Sequence, residues 1–219
     1  MQRIGSFLKD PDKDLRQAAL DCLITFLQSS TLVAVLSTPD SLVYFLDILD
    51  GRDGDTQILE FMNRLLATAS DASVLRTLLI QQTLQKIPRV CAGSRKSYTK
   101  LIMMLPPSFP ISPDHTKSVI SLLRSPELAV LQNVVSIVTH LSANAQFREA
   151  LLKTNVWETL LRRSDSARLV PEMLEHFARH GGLRINAASG IVPELLNMLR
   201  ADLDRWETGL RGLLVLGLL

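Results

Sequence analysis

Laid over itself at an offset of 115 residues, the chain matches without a gap. Ile4 falls on Val119, Phe7 on Leu122, Leu8 on Leu123 and Pro11 on Pro126. Leu15 then falls on Val130, Ala19 on Val134, Cys22 on Ile137, Leu23 on Val138 and Phe26 on Leu141. The closing stretch joins at an offset of 76. Leu195, Met198, Leu199, Trp206, Leu210, Leu213 and Leu214 sit over Val119, Leu122, Leu123, Val130, Val134, Ile137 and Val138. Since 76 is two steps of 38, and 115 is three such steps plus one residue, the underlying unit is near 38 residues. A period of this length is the mark of a stacked repeat, in which no unit covers its own apolar face and neighbours supply the cover.

The apolar positions in the long segment of each unit run i, i+4, i+7, i+8, i+11, which is one buried face of a helix. Alternating strand patterns are absent. Pro11 and Pro126, four residues before the first of these positions, are read as helix starts, where the missing N–H costs nothing. The spacing predicts a truncated helix ending at Leu8 and helices near 11–27, 31–36, 41–49, 56–68, 73–82, 83–90, 97–105, 114–124, 126–141, 144–153, 156–163, 169–180, 183–188, 191–200 and 203 to the end. "PPSFPISP", residues 106–113, replaces a helix with an extended loop because four prolines in eight residues cannot make one.

Composition fits this reading. Hydrophobic residues make up 47% of the chain and aromatics only 5%, a balance suited to helices packed through Leu, Val, Ile and Ala and too apolar for disorder. Two cysteines, Cys22 and Cys91, are too few for a disulfide framework or a thiolate metal site, which favours a reducing compartment. Cys22 is expected in the core. The start lacks the apolar run of a signal peptide, and no apolar stretch is long enough for a membrane span, so a soluble, intracellular protein, cytoplasmic or nuclear, is expected.

Motifs for chemistry are scarce. His176 and His180 share a helical face with Glu172 and Glu175 nearby, but no further His or Cys cluster completes a metal site. "DGRDGD", residues 50–55, lacks the ligand order of a calcium loop and reads as a helix connection. Neither a nucleophile motif nor a phosphate-binding glycine loop is present. No catalytic residue, cofactor or metal is expected. "WET" occurs at Trp157 and Trp206, out of step with the period, and core packing is expected to account for both tryptophans.

Two stretches resemble the armadillo repeat family. "SGIVPELLNMLR", Ser189 to Arg200, is similar to that family's unit boundary, where Gly ends one helix and G-x-[IV]-P-x-L starts the next. "NVVSIVTHLSANAQFREALLKTNVWETLL", Asn133 to Leu161, is similar to the run from its second helix through the "NLS" end into the third, with His140 where Asn is usual. HEAT repeats, of a slightly longer period, are the close second. The resemblance implies an all-α fold, a right-handed α-solenoid of armadillo- or HEAT-like repeats. Its units would lie near 1–40, 41–82, 83–113 (degenerate), 114–155, 156–190 and 191–219 (incomplete). Both ends fall within a unit, so the chain reads as a piece of a longer solenoid, able to self-associate through its incomplete terminal repeats.

The resemblance also implies a non-enzymatic protein–protein interaction scaffold whose third helices line a concave groove. On that basis Arg76, Gln81, Asn144, Arg148, Arg184 and Asn186 are the candidate groove residues. The Trp–Asn pairs by which the family's nuclear-import adaptors hold peptides do not occur here. Charge adds a second surface. Residues 1–75 hold 6 Lys/Arg against 11 Asp/Glu, residues 76–124 hold 8 against one, and the remainder 10 against 10. The basic middle, with Arg89, Arg95, Lys96 and Lys100 at its centre, suits an acidic peptide or protein partner. It could instead pair with the acidic first third, or serve a nucleic-acid-associated repeat.

Overall fold

The computed structural model describes residues 6–51, 54–69, 72–107, 109–163, 165–180, 191–200, 203–215 and 217, with backbone alone at 203–205. Their regular elements are all helical. They are gathered into two bodies, Met1–Leu105 and Pro106–Leu219.

The N-terminal body contains α1 (Lys13–Phe26), α2 (Ser30–Leu36), α3 (Pro39–Asp47), α4 (Asp55–Thr68), α5 (Ala72–Lys86), a 3₁₀ turn (Ile87–Arg89) and α6 (Ala92–Met103). Side-chain caps set several starts. The Asp12 carboxylate accepts from the Asp14 and Leu15 N–H groups at 2.8 and 3.4 Å, and the Thr38 hydroxyl from Ser41 N–H at 3.4 Å, with Pro39 in the first turn of α3. Pro11 thus precedes the cap, and α1 begins two residues beyond the predicted start. Pro126 stands likewise before Glu127, the N-cap residue of the equivalent helix.

Helix α4 packs against both α1 and α6, burying Ile58, Phe61, Met62 and Leu65 completely. The chain axis bends by 116° between α1 and α2, which turns the short helix away from the one before it. A single helix, α5, replaces the two predicted on either side of Gln82 and Thr83. Thr83 is fully buried and no breaker stands before Pro88, whose missing N–H and clash with the preceding turn end the regular helix at Lys86.

The C-terminal body contains α7 (Pro113–Leu123), α8 (Leu128–Leu141), α9 (Ala145–Leu152), α10 (Val156–Arg162), α11 (Leu169–Arg179), α12 (Ile191–Arg200) and α13 (Leu203–Val215). Here Ser112 caps α7 through His115 N–H, and Asn144 caps α9 through Phe147 N–H. Two columns run through this body. Helix α7 packs on α10 and α10 on α12; α8 packs on α11 and α11 on α13. First helices thus meet first helices and second helices meet second helices in successive units, as a repeat of period near 38 requires. The predicted helix at 183–188 lies outside the described residues.

Helix bounds follow the 115-residue offset closely. Helix α1 spans 13–26 and α8 spans 128–141; α2 begins at 30 and α9 at 145. Burial follows it only in part. Ala19, Leu23, Val134 and Val138 are all buried, whereas Leu15 is 47% exposed and Cys22 is exposed against fully or nearly buried Val130 and Ile137. The expected core position of Cys22 is therefore corrected. Cover at these positions needs a first helix alongside, as α7 lies along α8, and most of the matching stretch, residues 1–5, lies outside the described residues.

His115, in the first turn of α7, is buried and its Nδ1 has no hydrogen-bond partner. Burial depresses its pKa, with Asp114 opposing weakly. The folded protein therefore takes up this proton less readily than the unfolded chain does. Stability from this group is complete above the unfolded value of about 6.5 and is lost as pH falls through the depressed folded value. Thermal midpoints measured from pH 7.5 down to pH 5 should fall, and His115→Phe should remove part of that slope.

Candidate functional site

Helices α2 and α5 flank a cleft in the N-terminal body. Helix α2 turns Val33 and Leu36 inward and leaves Val35 47% exposed; α5 buries Leu75, Leu79 and Ile80 and leaves Val74 68% exposed. Between them, with Leu27 and Gln28 just past α1 and Thr68 and Ala69 at the end of α4 also in its wall, lies a cleft of about 470 Å³. Leu27, Val33, Ala34, Val74, Leu75 and Leu78 are among its apolar walls, and Gln28, Ser30, Ser37 and Thr68 supply uncharged polar groups. Among the described residues no charged side chain lines it. The Ser37 hydroxyl is buried and unpartnered. Aliphatic walls with a few neutral polar groups suit apolar side chains whose backbone amides need occasional partners.

The groove residues expected from sequence are not gathered there. Arg76, two residues beyond Val74, is half-buried and donates to the Leu66 carbonyl at 3.4 Å, while Gln81 is exposed further along α5. In the C-terminal body Asn144 is engaged internally, accepting from Phe147 N–H at 3.0 Å and donating to the Phe109 carbonyl at 3.2 Å. Arg148 donates to the Ser142 carbonyl. Both are half-buried. Arg184 and Asn186 lie outside the described residues.

The basic patch divides. Arg89 is exposed in the 3₁₀ turn, and Lys96 and Lys100 are exposed one turn apart on α6. Arg95 is only 8% exposed, and its Nε donates to the Ile87 carbonyl at 3.2 Å, which ties the turn to the start of α6. It is a buried brace rather than a surface cation. Lys86 pairs with Asp47, so some of the basic middle is neutralised by the acidic first third.

A polar cluster not expected from the sequence centres on Asp55, the first residue of α4. Its carboxylate accepts from Lys9 Nζ, from Ser97 Oγ at 2.5 Å and from Gly51 N–H at 3.0 Å; Lys9 also pairs with Asp50 at 2.6 Å. The helix N-terminus adds a favourable field. Gly54, at φ +97°, brings the backbone so near Leu8 that a Cβ would sit 2.1 Å from the Leu8 carbonyl oxygen. Beside the cluster, the Tyr98 hydroxyl donates to the Leu46 carbonyl at 2.6 Å, and burial together with Asp47 and Asp55 raises its pKa. "DGRDGD" is thus a connection that carries a charged pin joining segments from three successive expected units. The cue was present as an acid directly after a Gly at a helix start, but its partners are about 40 residues away in either direction.

Cys91, the N-cap residue of α6, is exposed, and hydrogen bonding from Ser94 lowers its pKa. Among the described residues no group of three or more His, Cys, Asp or Glu is placed to hold a metal ion. No single described helix is long and apolar enough to cross a membrane. Trp157 is buried as expected, with its Nε1 donating to the Leu151 carbonyl at 2.9 Å and its ring edge-on to Phe177. Trp206 is 48% exposed, contrary to the core role expected for it.

Comparison with family models and with curated proteins yields no match. Solved structures do match. An engineered protein aligns over 99% of this chain and 96% of its own, with a TM-score of 0.51 and 11% identity. A designed armadillo repeat protein in complex with the peptide (KR)4 aligns over 98% of both chains, with a TM-score of 0.45 and 12% identity. Another designed armadillo repeat protein aligns over 98% of this chain and 99% of its own, with a TM-score of 0.41 and 12% identity. The chain has an all-α helical-repeat fold: second helices stack on second helices, and the short α2 turns aside from α1.

Proposed function

We propose that the chain is a non-enzymatic binding scaffold that takes an aliphatic segment of a partner protein in the cleft between α2 and α5. The cleft itself carries this reading, through a volume within the usual range of ligand sites, walls that are apolar or neutral among the described residues, and a Val74 that meets water over two-thirds of its surface. An intracellular setting accords with two exposed, unpaired cysteines. The alternative, docking of nucleic acid or an acidic partner, has Arg89, Lys96 and Lys100 to draw on.

Peptides selected from a random library against the full chain would separate the two. Cleft binding should select aliphatic sequences, persist as salt is raised, weaken at least about tenfold, or 1.4 kcal/mol, in Val74→Asp, and be indifferent to the Lys96→Glu/Lys100→Glu double variant. The reverse pattern, with affinity falling steeply in salt and lost with the two lysines, would overturn the cleft in favour of the basic surface.

A further inference from the structure

Residues 109–112, directly ahead of α7, belong to no helix. Phe109 and Ile111, 5% and 7% exposed, fix this strap to the C-terminal body, while Pro110 between them faces water. One tie comes from the N-cap of α9, where Asn144 Nδ2 donates to the Phe109 carbonyl at 3.2 Å. The others come from the first turn of α7. Ser112 Oγ accepts from His115 N–H at 3.2 Å, and the Ser112 carbonyl accepts from the Thr116 N–H and hydroxyl at 3.1 and 3.2 Å. The strap is held no more firmly than that turn is.

The turn is closed over His115, which is 6% exposed and whose Nδ1 meets no hydrogen-bond partner. A neutral ring can leave one nitrogen as a bare lone pair, whereas imidazolium carries N–H on both. Proton uptake in place would therefore bury a charged donor without an acceptor. The N-terminal end of α7 adds a field of the wrong sign for a cation. Neighbouring charges offer little relief. Helices α8, α9 and α10 pack on α7 and carry His140, Arg148, Glu149, Glu158 and Arg162 as their ionisable side chains. Among the described residues the one charge that acts on the ring is Asp114, whose side chain is 88% exposed and pairs with Lys117.

We propose that His115 is the pin of an acid-released strap: on taking up a proton its ring leaves the core, the first turn of α7 opens, and residues 109–112 come away from α9 while the rest of the body stays folded. Release uncovers Phe109 and Ile111 and frees the Asn144 amide, so acid gives this body an apolar surface that neutral conditions keep covered. In the opened turn the ring titrates near its ordinary value of about 6.5, and the closed form is favoured above that pH and loses ground below it. Between pH 7.5 and pH 5 the open-to-closed ratio can rise by at most about thirtyfold.

Amide exchange followed residue by residue in the full chain, and compared as protection factors so that its intrinsic pH dependence cancels, reads this ratio. Protection at Phe109, His115 and Thr116 should drop several-fold, toward that limit, on going from pH 7.5 to pH 5. At both pH values these amides should be less protected than those of Val134, Ile137 and Val138 in α8, and low urea should barely change their opening, since a strap exposes little surface. His115→Phe, which cannot titrate, should hold protection at Phe109 and Thr116 constant between the two pH values. His115→Gln serves the same purpose if the phenyl ring does not fit. Strap amides that share the protection and urea dependence of α8 yield only when the whole body unfolds, and that result overturns the proposal. So does protection that does not change with pH, or a drop that persists in the folded variant.

Discussion

Asp55→Ala is expected to destabilise the N-terminal body by about 3–5 kcal/mol, the cost of leaving a buried charge network without its centre. Its carboxylate is 9% exposed and answers Lys9, Ser97 and two backbone N–H groups, so removal strands donors from before α1, from the 50–55 connection and from α6 at once. Lys9, with a side chain 17% exposed, can recover some hydration and still reach Asp50, which places the loss toward the lower end. Urea unfolding measures it. Lys9→Met paired with Asp55→Ala should cost less than the sum of the single changes, because no lone charge is then left behind. Additive losses would mean that the contacts do not form one network.

The two "WET" sites should respond in opposite ways. Trp157→Ala is expected to cost about 3–5 kcal/mol, through the cavity left in the core and the loss of the indole hydrogen bond to Leu151. Phe177 would lose the edge-on ring it meets at 5.8 Å. Trp157→Phe should keep most of the packing and lose about 1 kcal/mol for the unmade hydrogen bond. Trp206→Ala should change the unfolding free energy of dilute monomer by less than about 0.5 kcal/mol, since nearly half of that residue already meets water. Equal losses at both positions would contradict the exposure of α13.

Neighbours within a few residues were the readable part of the architecture. Thr38, Ser112 and Asn144 each accept an N–H three residues ahead, a signal carried by short polar side chains beside an apolar period. The repeat register was readable for the same reason: α1 and α8 are held by the same spacing of apolar residues and begin and end 115 residues apart. Local reasoning failed where a local cue was over-read. Thr83 resembled a helix start, yet it continues α5 in full burial until Pro88 ends the run.

The candidate cleft was not legible as a site. The polar residues expected to line a third-helix groove, and the cations of the basic cluster, were picked by exposure alone, and some of them are otherwise occupied. Asn144 and Arg148 satisfy backbone groups close by, and Arg95 reaches a carbonyl eight residues back. The cleft walls are ordinary aliphatic residues with no motif. They form one cleft because the chain bends by 116° before α2 and α5 comes to lie beside it.

Sequence by itself determined the class of fold and the residues available to its core, since helical period and caps depend on side chains within about four positions of one another. Tertiary structure alone decided which of two equivalent residues is covered, Ile137 rather than Cys22 and Val138 rather than Leu214, and which distant groups meet, as at Lys9, Asp55 and Ser97. Burial is a property of what lies alongside, and in a repeat that neighbour comes from roughly 40 residues away.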